Sequence, residues 1–278
     1  MHHNAFTIER LARELDKRID GETLQDCFSS SKEDIFFVFD TLCLQIQFYK
    51  GEAFVFIKDL VSLPKRNLLR QFENLIGLDV SNVTSHDCDR SFHLEFSSNI
   101  ELHFEFYGRH SRVVTSMDNE FVQFPIKTET KPIALQKQFV FNGEVAGLKF
   151  LTNEQKEILS SISNNNPSEK AWPIFRERLR NSDYEIDTSS DKPSIQYRSN
   201  SNRASFDFLD FYSTFSKKYI SQIRSSEIKE QSIRELQRNL KKHKSRLNKT
   251  ETFLKIGQKG LSYKEKADIL MANLHRKA

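Results

Sequence analysis

Cysteine, glycine and proline are scarce in this chain, whose 278 residues include only 3 Cys, 8 Gly and 6 Pro. Cys27, Cys43 and Cys88 are odd in number and lack C-x-x-C spacing, which argues against a disulfide framework or a zinc ribbon and leaves three reduced, buried thiols as the expectation. The shortage of glycine bears on nucleotide binding. Neither the P-loop pattern nor G-x-G-x-x-G occurs, so no glycine-rich backbone nest is ready to cradle a pyrophosphate. Long apolar runs are missing too: stretches such as Ile35 to Phe39 and Ala53 to Ile57 reach about five residues, against the roughly 20 that cross a bilayer. No membrane partner is expected. The opening Met-His-His-Asn leads into a segment carrying Glu9, Arg10, Arg13, Glu14 and Asp16 rather than an apolar signal-peptide core, so the expectation is a cytoplasmic protein.

What the chain does have is phenylalanine and segregated charge. Its 24 Phe point to regular elements around aromatic cores, and its length suits one large domain or two to three smaller pieces. The net charge of +4 conceals an asymmetry. Between Ser216 and Lys259 there are 13 basic residues against 4 acidic ones, whereas residues 1–215 carry a net charge of -7. The body is acidic and the C-terminal arm basic.

Periodicity supplies the elements. Ile8, Leu11, Leu15 and Ile19 form a helical stripe over Phe6 to Ile19, stopped by Asp20-Gly21. Strands follow at Ile35 to Phe39, Leu42 to Phe48 and Ala53 to Ile57, then a second helix at about Asn67 to Ile76 and strands at Leu78 to Thr84, Ser91 to Phe96 and Ile100 to Tyr107. The order repeats, so the fold class predicted is α+β, a two-lobed domain of pseudo-repeated helix-plus-antiparallel-sheet units over residues 1–125. The chain reads as irregular from 116 to 150, and residues 126–205 form a connecting segment and a small helical domain with helices at Leu151 to Ser163 and Ser168 to Arg180; Asp187 to Asn202 reads as a linker. Residues 206–278 form a basic coiled-coil arm. A hairpin at Ser97-Ser98-Asn99 sets Leu94 opposite Leu102 and, on the outer face, His93 opposite His103 and Glu95 opposite Glu101. Two histidines fall short of the three or four convergent ligands a metal needs, so solvated histidines and no metal are expected.

In the arm, Tyr219, Ile233, Leu240, Leu247 and Leu254 recur at multiples of seven while the companion positions Gln222, Lys229, Leu236, His243 and Thr250 are mostly polar. Gly257 and Gly260 read as a turn into a short returning helix through Tyr263, Leu270 and Leu274, making the arm antiparallel. That return covers only the final turns. The apolar stripe therefore implies a missing partner strand, from a longer chain of which this is the N-terminal part or from a homodimer through the arm.

Several segments together resemble the NFACT family, the group of RqcH-like and NEMF-like proteins and those once called fibronectin-binding protein A. They are Met-His-His-Asn at the start, Leu11-Ala12-Arg13-Glu14-Leu15, Cys27-Phe28-Ser29, Asp89-Arg90-Ser91-Phe92, Gly108-Arg109-His110-Ser111-Arg112, and Ala267 to Leu274. Arg112 stands where members often have Asn. The resemblance implies an NFACT-N domain, a helix-hairpin-helix-like domain and a coiled coil, with the family's C-terminal RNA-binding domain beyond this sequence. It implies a tRNA-binding, ribosome-associated quality-control factor that engages stalled large subunits and their rRNA and supports C-terminal tailing of nascent chains, with no conventional catalytic centre and no cofactor. The RNA-binding residues expected are Asp89, Arg90, Arg109 and Arg112 in the body and Lys241, Lys242, Lys244 and Arg246 in the arm. An arginine fork suits phosphates and base edges, and a lysine-rich helix suits phosphates regardless of sequence.

Two other functions compete. The old family name would make this a surface adhesin for a fibronectin-like matrix protein, against which stand the missing signal peptide and the reduced cysteines. A glycosylase related through the fold would need an N-terminal proline amine and a zinc finger, whereas this chain begins Met1-His2 and has no finger.

Overall fold

A computed structural model describes residues 4–59, 68–117, 120–126, 139–189, 193–198 and 207–274. The chain divides into two compact units, Met1–Gln222 and Ile223–Ala278.

In the first unit, α1 (Ala5–Ile19) starts where Asn4 caps it: the Asn4 side-chain oxygen accepts from the Thr7 backbone N–H at 2.8 Å. Its predicted stripe of Ile8, Leu11, Leu15 and Ile19 is buried, and Gly21, at φ +77°, turns the chain out of the helix. Four long strands follow, β1 (Leu24–Ser31), β2 (Asp34–Phe39), β3 (Leu42–Tyr49) and β4 (Glu52–Asp59), joined at the edge by the short β5 (Leu69–Arg70). They form an antiparallel sheet in the order β4-β3-β2-β1-β5.

The second helix expected at Asn67 to Ile76 is absent from its described part, Asn67 itself lying outside the described residues. Leu69 and Arg70 instead pair with Ser29 and Phe28 on the open edge of β1, and Phe72 adopts a left-handed φ of +49° before a 3-10 turn at Glu73–Leu75. Burial of Phe72 and Leu75 in the core outweighs the modest helix propensity of the segment.

A second antiparallel sheet is a meander of β6 (Val80–Ser85), β7 (Ser91–Phe96), β8 (Glu101–Glu105), β9 (Arg112–Met117) and β10 (Glu120–Phe124), in the order β10-β9-β8-β7-β6. Its register pairs Leu94 with Leu102, His93 with His103 and Glu95 with Glu101, as the alternation predicts. Strands β9 and β10 correct the expectation of irregular chain from 116 onward: Val113, Val114 and Phe124 are buried, which extends the sheet core. Helix α1 packs on β6 and β7, and the Asp16 carboxylate accepts from the Val83 N–H at 2.8 Å. One core joins both sheets. Phe37 of β2 meets Phe104 of β8 edge to face at 5.6 Å between ring centroids, and Phe104 stacks on Phe92 at 4.7 Å.

Helices α2 (Asn153–Ser163) and α3 (Ser168–Arg180) lie where their apolar spacing places them. Thr152 and Gln155 form a reciprocal capping box at the start of α2. A second core gathers Leu159, Phe175 and Phe141 around Trp172 and includes Phe6 of α1. The segment read as a linker begins in a hairpin of β11 (Asp183–Asp187) and β12 (Ser194–Arg198), with Tyr184 packed on Phe208 at 5.4 Å; residues 190–192 and 199–206 lie outside the described residues. The polar composition concealed the hairpin, which Tyr184 anchors in the main core while Ile195 packs against that core and Tyr197 against the Trp172 core.

Helix α4 (Phe208–Leu274) buries Phe208, Tyr212, Phe215 and Tyr219 in the first unit. In the second unit it runs unbroken to Leu274. The turn and returning helix expected at Gly257 and Gly260 are absent, because neither glycine takes a positive φ among the described residues, and each costs a helix only about 1 kcal/mol relative to alanine. Ile233, Leu240, Leu247 and Leu254 remain exposed. No helix of the described residues is long and apolar enough to cross a membrane. Because Phe104 links the sheets, Phe104→Ala should lower stability by about 3–5 kcal/mol, measured by urea denaturation followed by circular dichroism.

Candidate functional site

The loops at one end of the second sheet bring together most of the body residues singled out by sequence. The turn 87–90 joins β6 to β7, and the 3-10 turn Gly108–His110 joins β8 to β9. Ser91 pairs with Glu105 and the Phe106 N–H donates to the Arg90 carbonyl at 2.9 Å, so the two turns lie side by side.

Within this end, the Asp89 carboxylate accepts from the Ser91 hydroxyl at 2.7 Å and from the Tyr107 hydroxyl. The Arg90 guanidinium sits over the Tyr107 ring, 5.7 Å from its centroid. Burial, and then the bond to Asp89, push the Tyr107 phenol up from its ordinary value, so it remains a donor. Arg109 is exposed on the neighbouring turn. Its backbone lies against Gly51, where an added Cβ would come within 2.7 Å of the Arg109 Cα. Tyr107 was missed from sequence; its one signal was a hydroxyl-bearing ring at the end of a phenylalanine strand.

Arg112 belongs elsewhere. It is 8% exposed and holds Glu105 in a two-armed ion pair, Nε to Oε2 at 2.7 Å and Nη2 to Oε1 at 3.2 Å, with Gln123 Oε1 at 3.3 Å from Nη1. Such a pair joins β8 to β9 and withdraws Arg112 from the surface offered to a phosphate.

The turn 87–90 is pinned from behind. Arg176 of α3 bridges Asp87 and Glu9 of α1, each at 3.0 Å, and Arg180 reaches Glu9 at 2.7 Å. Cys88, with φ +57°, packs against the Trp172 core, and burial pushes its thiol up to about 12. All three cysteines are free thiols.

His93 and His103 correct the expectation of solvated side chains: they are 7% and 5% exposed. The missing third histidine is also present. Thr84 of β6 pairs with His93, and His86 lies two residues on, on the same face, its ring centroid 5.0 Å from that of His93 and 5.8 Å from that of His103. Burial, then the neighbouring His93, lower the pKa of both His86 and His103, the latter to about 4. The signal for His86 lay in the pairing of β6 with β7, which periodicity alone does not align.

In the second unit, Lys241, Lys244, Asn248, Lys249, Thr252 and Phe253 line one surface of the helix. Lys242 and Arg246, four residues apart, share the adjoining face. All of these residues are exposed.

The fold is similar to that of fibronectin/fibrinogen-binding protein N-terminal domains. It is similar to the fibrinogen binding protein from Staphylococcus aureus, with a TM-score of 0.54 at 10% identity over 77% of this chain and 99% of that one. The N-terminal part of the fibronectin/fibrinogen-binding protein from Streptococcus suis aligns with a TM-score of 0.57 at 13% identity, over 78% of this chain and 98% of that one. No protein-family model matches the sequence, and no curated protein matches it significantly. At these identities the likeness establishes the fold alone.

Arg112→Ala leaves Glu105 buried without its cation and should cost about 3–5 kcal/mol. Arg90→Ala, which loses a cation–π contact, should cost about 1 kcal/mol or less. Parallel urea titrations of the two variants check the contrast.

Proposed function

We propose that the chain is a non-catalytic, cytoplasmic RNA-binding factor that engages tRNA and the large ribosomal subunit and supports tailing of stalled nascent chains. The observation that carries this reading is the exposed helix of the second unit, whose lysines and arginines are displayed to solvent over many turns. Such an array attaches to phosphates by releasing counterions, whatever the sequence. The Asp89, Arg90, Tyr107 and Arg109 cluster adds what a bare lysine helix lacks: a guanidinium on an aromatic ring, a carboxylate acceptor and an exposed second arginine, groups suited to a folded RNA. In this reading the cluster meets tRNA and the helix meets rRNA. The motif resemblance supplies the translational setting.

A second reading is favoured by the names of the similar solved structures, one called a fibrinogen binding protein and one a fibronectin/fibrinogen-binding protein. It makes the chain a matrix-protein binder. The two readings separate by ligand.

Neutralising Lys241, Lys242 and Lys244 together to Gln should lower the slope of log affinity against log salt for large-subunit binding by about two to three units, similarly for unrelated RNAs. Arg90→Ala should weaken tRNA binding with little change in melting temperature. Filter binding and subunit co-sedimentation across a salt series measure both. Unchanged slopes, together with saturable binding to immobilised fibronectin or fibrinogen, would select the second reading.

A further inference from the structure

The three histidines pose a problem that neither proposed function addresses. His93 Nε2 lies 3.1 Å from Glu95 Oε1, and His103 Nε2 lies 2.8 Å from Glu101 Oε2. An ionised carboxylate only accepts hydrogen bonds, so in each neutral ring Nε2 carries the proton and Nδ1 is left with its lone pair. Both Nδ1 atoms are buried and have no hydrogen-bond partner. Two buried, unpartnered lone pairs on adjacent strands call for a partner such as an ion.

His86 completes the set. One nitrogen from each of His86, His93 and His103 lies within 4.8 Å of the other two. A tetrahedral ion with bonds of about 2.0–2.1 Å holds its ligand nitrogens about 3.4 Å apart, so closure asks for movements of roughly an ångström or more, within reach of ring rotation. The two carboxylates stand where such sites carry their outer support, accepting from the distal ring N–H, fixing the tautomer and raising ligand basicity.

We propose that His86, His93 and His103 form a three-histidine site for Zn2+, with Glu95 and Glu101 orienting two of the ligands and a water at the fourth position. Three neutral imidazoles and no thiolate select a borderline cation such as zinc over calcium or magnesium, which prefer oxygen. The acidic groups nearby are otherwise engaged: Glu95 and Glu101 on the histidines, Glu105 on Arg112, and Asp89 on the Ser91 and Tyr107 hydroxyls. The fourth position therefore falls to solvent, and the half-buried His86 marks the side from which it enters.

The test uses the untagged full chain, stripped with a chelator and titrated with Zn2+ by calorimetry, and with Co2+ followed by its visible absorption. One zinc per chain, a tetrahedral Co2+ spectrum and a higher melting temperature with zinc are expected. His86→Gln and His103→Ala should each weaken binding at least 100-fold, and Glu101→Ala about 10–100-fold. Replacing His2 and His3 with Ala should leave binding unchanged. Near-UV circular dichroism reports whether each variant folds; if His103→Ala does not, His86→Gln, on the half-buried turn, decides. Absence of stoichiometric zinc, zinc affinity unaltered by His86→Gln, or loss of binding when His2 and His3 are replaced would each overturn the proposal.

Discussion

The aromatic contact between the inner faces of the two sheets is the constraint on which the remainder of the body depends. Phe104 lies between Phe37 of the first sheet and Phe92 of its own, and its burial commits the even-numbered residues of β7 and β8 to the core. Side chains alternate along a strand, so His93, Glu95, His103 and Glu105 must share the opposite face. A slip of one residue would exchange the two sets. The histidine cluster is thus a geometric consequence of how the phenylalanines pack.

A second restraint acts on the loops. The turn 87–90 would be an ordinary hairpin connection were it not held by Arg176 through Asp87 and sealed by Cys88 against the Trp172 core. Glu9 of α1 receives Arg176 and Arg180 together, so the first helix, the third helix and the turn are tied by one set of charges, of which Glu9 and Arg176 are half-buried and Arg180 is exposed. Half-burial makes these bonds stronger than surface pairs while leaving the ions partly hydrated. Asp89, Arg90 and His86 inherit their positions from that arrangement.

Charge is distributed with equal consequence. Acidic groups of the first unit such as Glu105 and Glu9 are drawn into ion pairs with Arg112 and Arg176 of the same unit, whereas the second unit displays its lysines along an exposed helix. The same helix keeps Leu240, Leu247 and Leu254 in water, and this apolar seam alternates with basic faces.

Much of this was legible in the residues. Helix α1, strands β2 to β4, the β7–β8 register, helices α2 and α3 and the basic stretch all announce themselves through local periodicity and composition. The α+β class follows from those elements alone, whereas the expected repeat of helix-plus-sheet units does not, because residues 68–76 form β5 and a 3-10 turn in place of its second helix. What local pattern could not supply were the places where distant chain intervenes. The Asn67 to Ile76 segment reads as a helix until the free edge of β1 takes Leu69 and Arg70. Arg112 reads as a surface cation until Glu105 closes on it across β8 and β9. The glycines at 257 and 260 read as a turn, but an unbroken helical hydrogen-bond ladder outweighs their weak propensity. His86 carries no signal of its own, because its meaning depends on the alignment of β6 with β7. Periodicity is a property of neighbours along the chain, and so the sequence by itself determined which faces are apolar and where charge collects; pairing, burial and the meeting of three imidazoles depend on contacts between segments far apart in sequence, which only the tertiary structure decided.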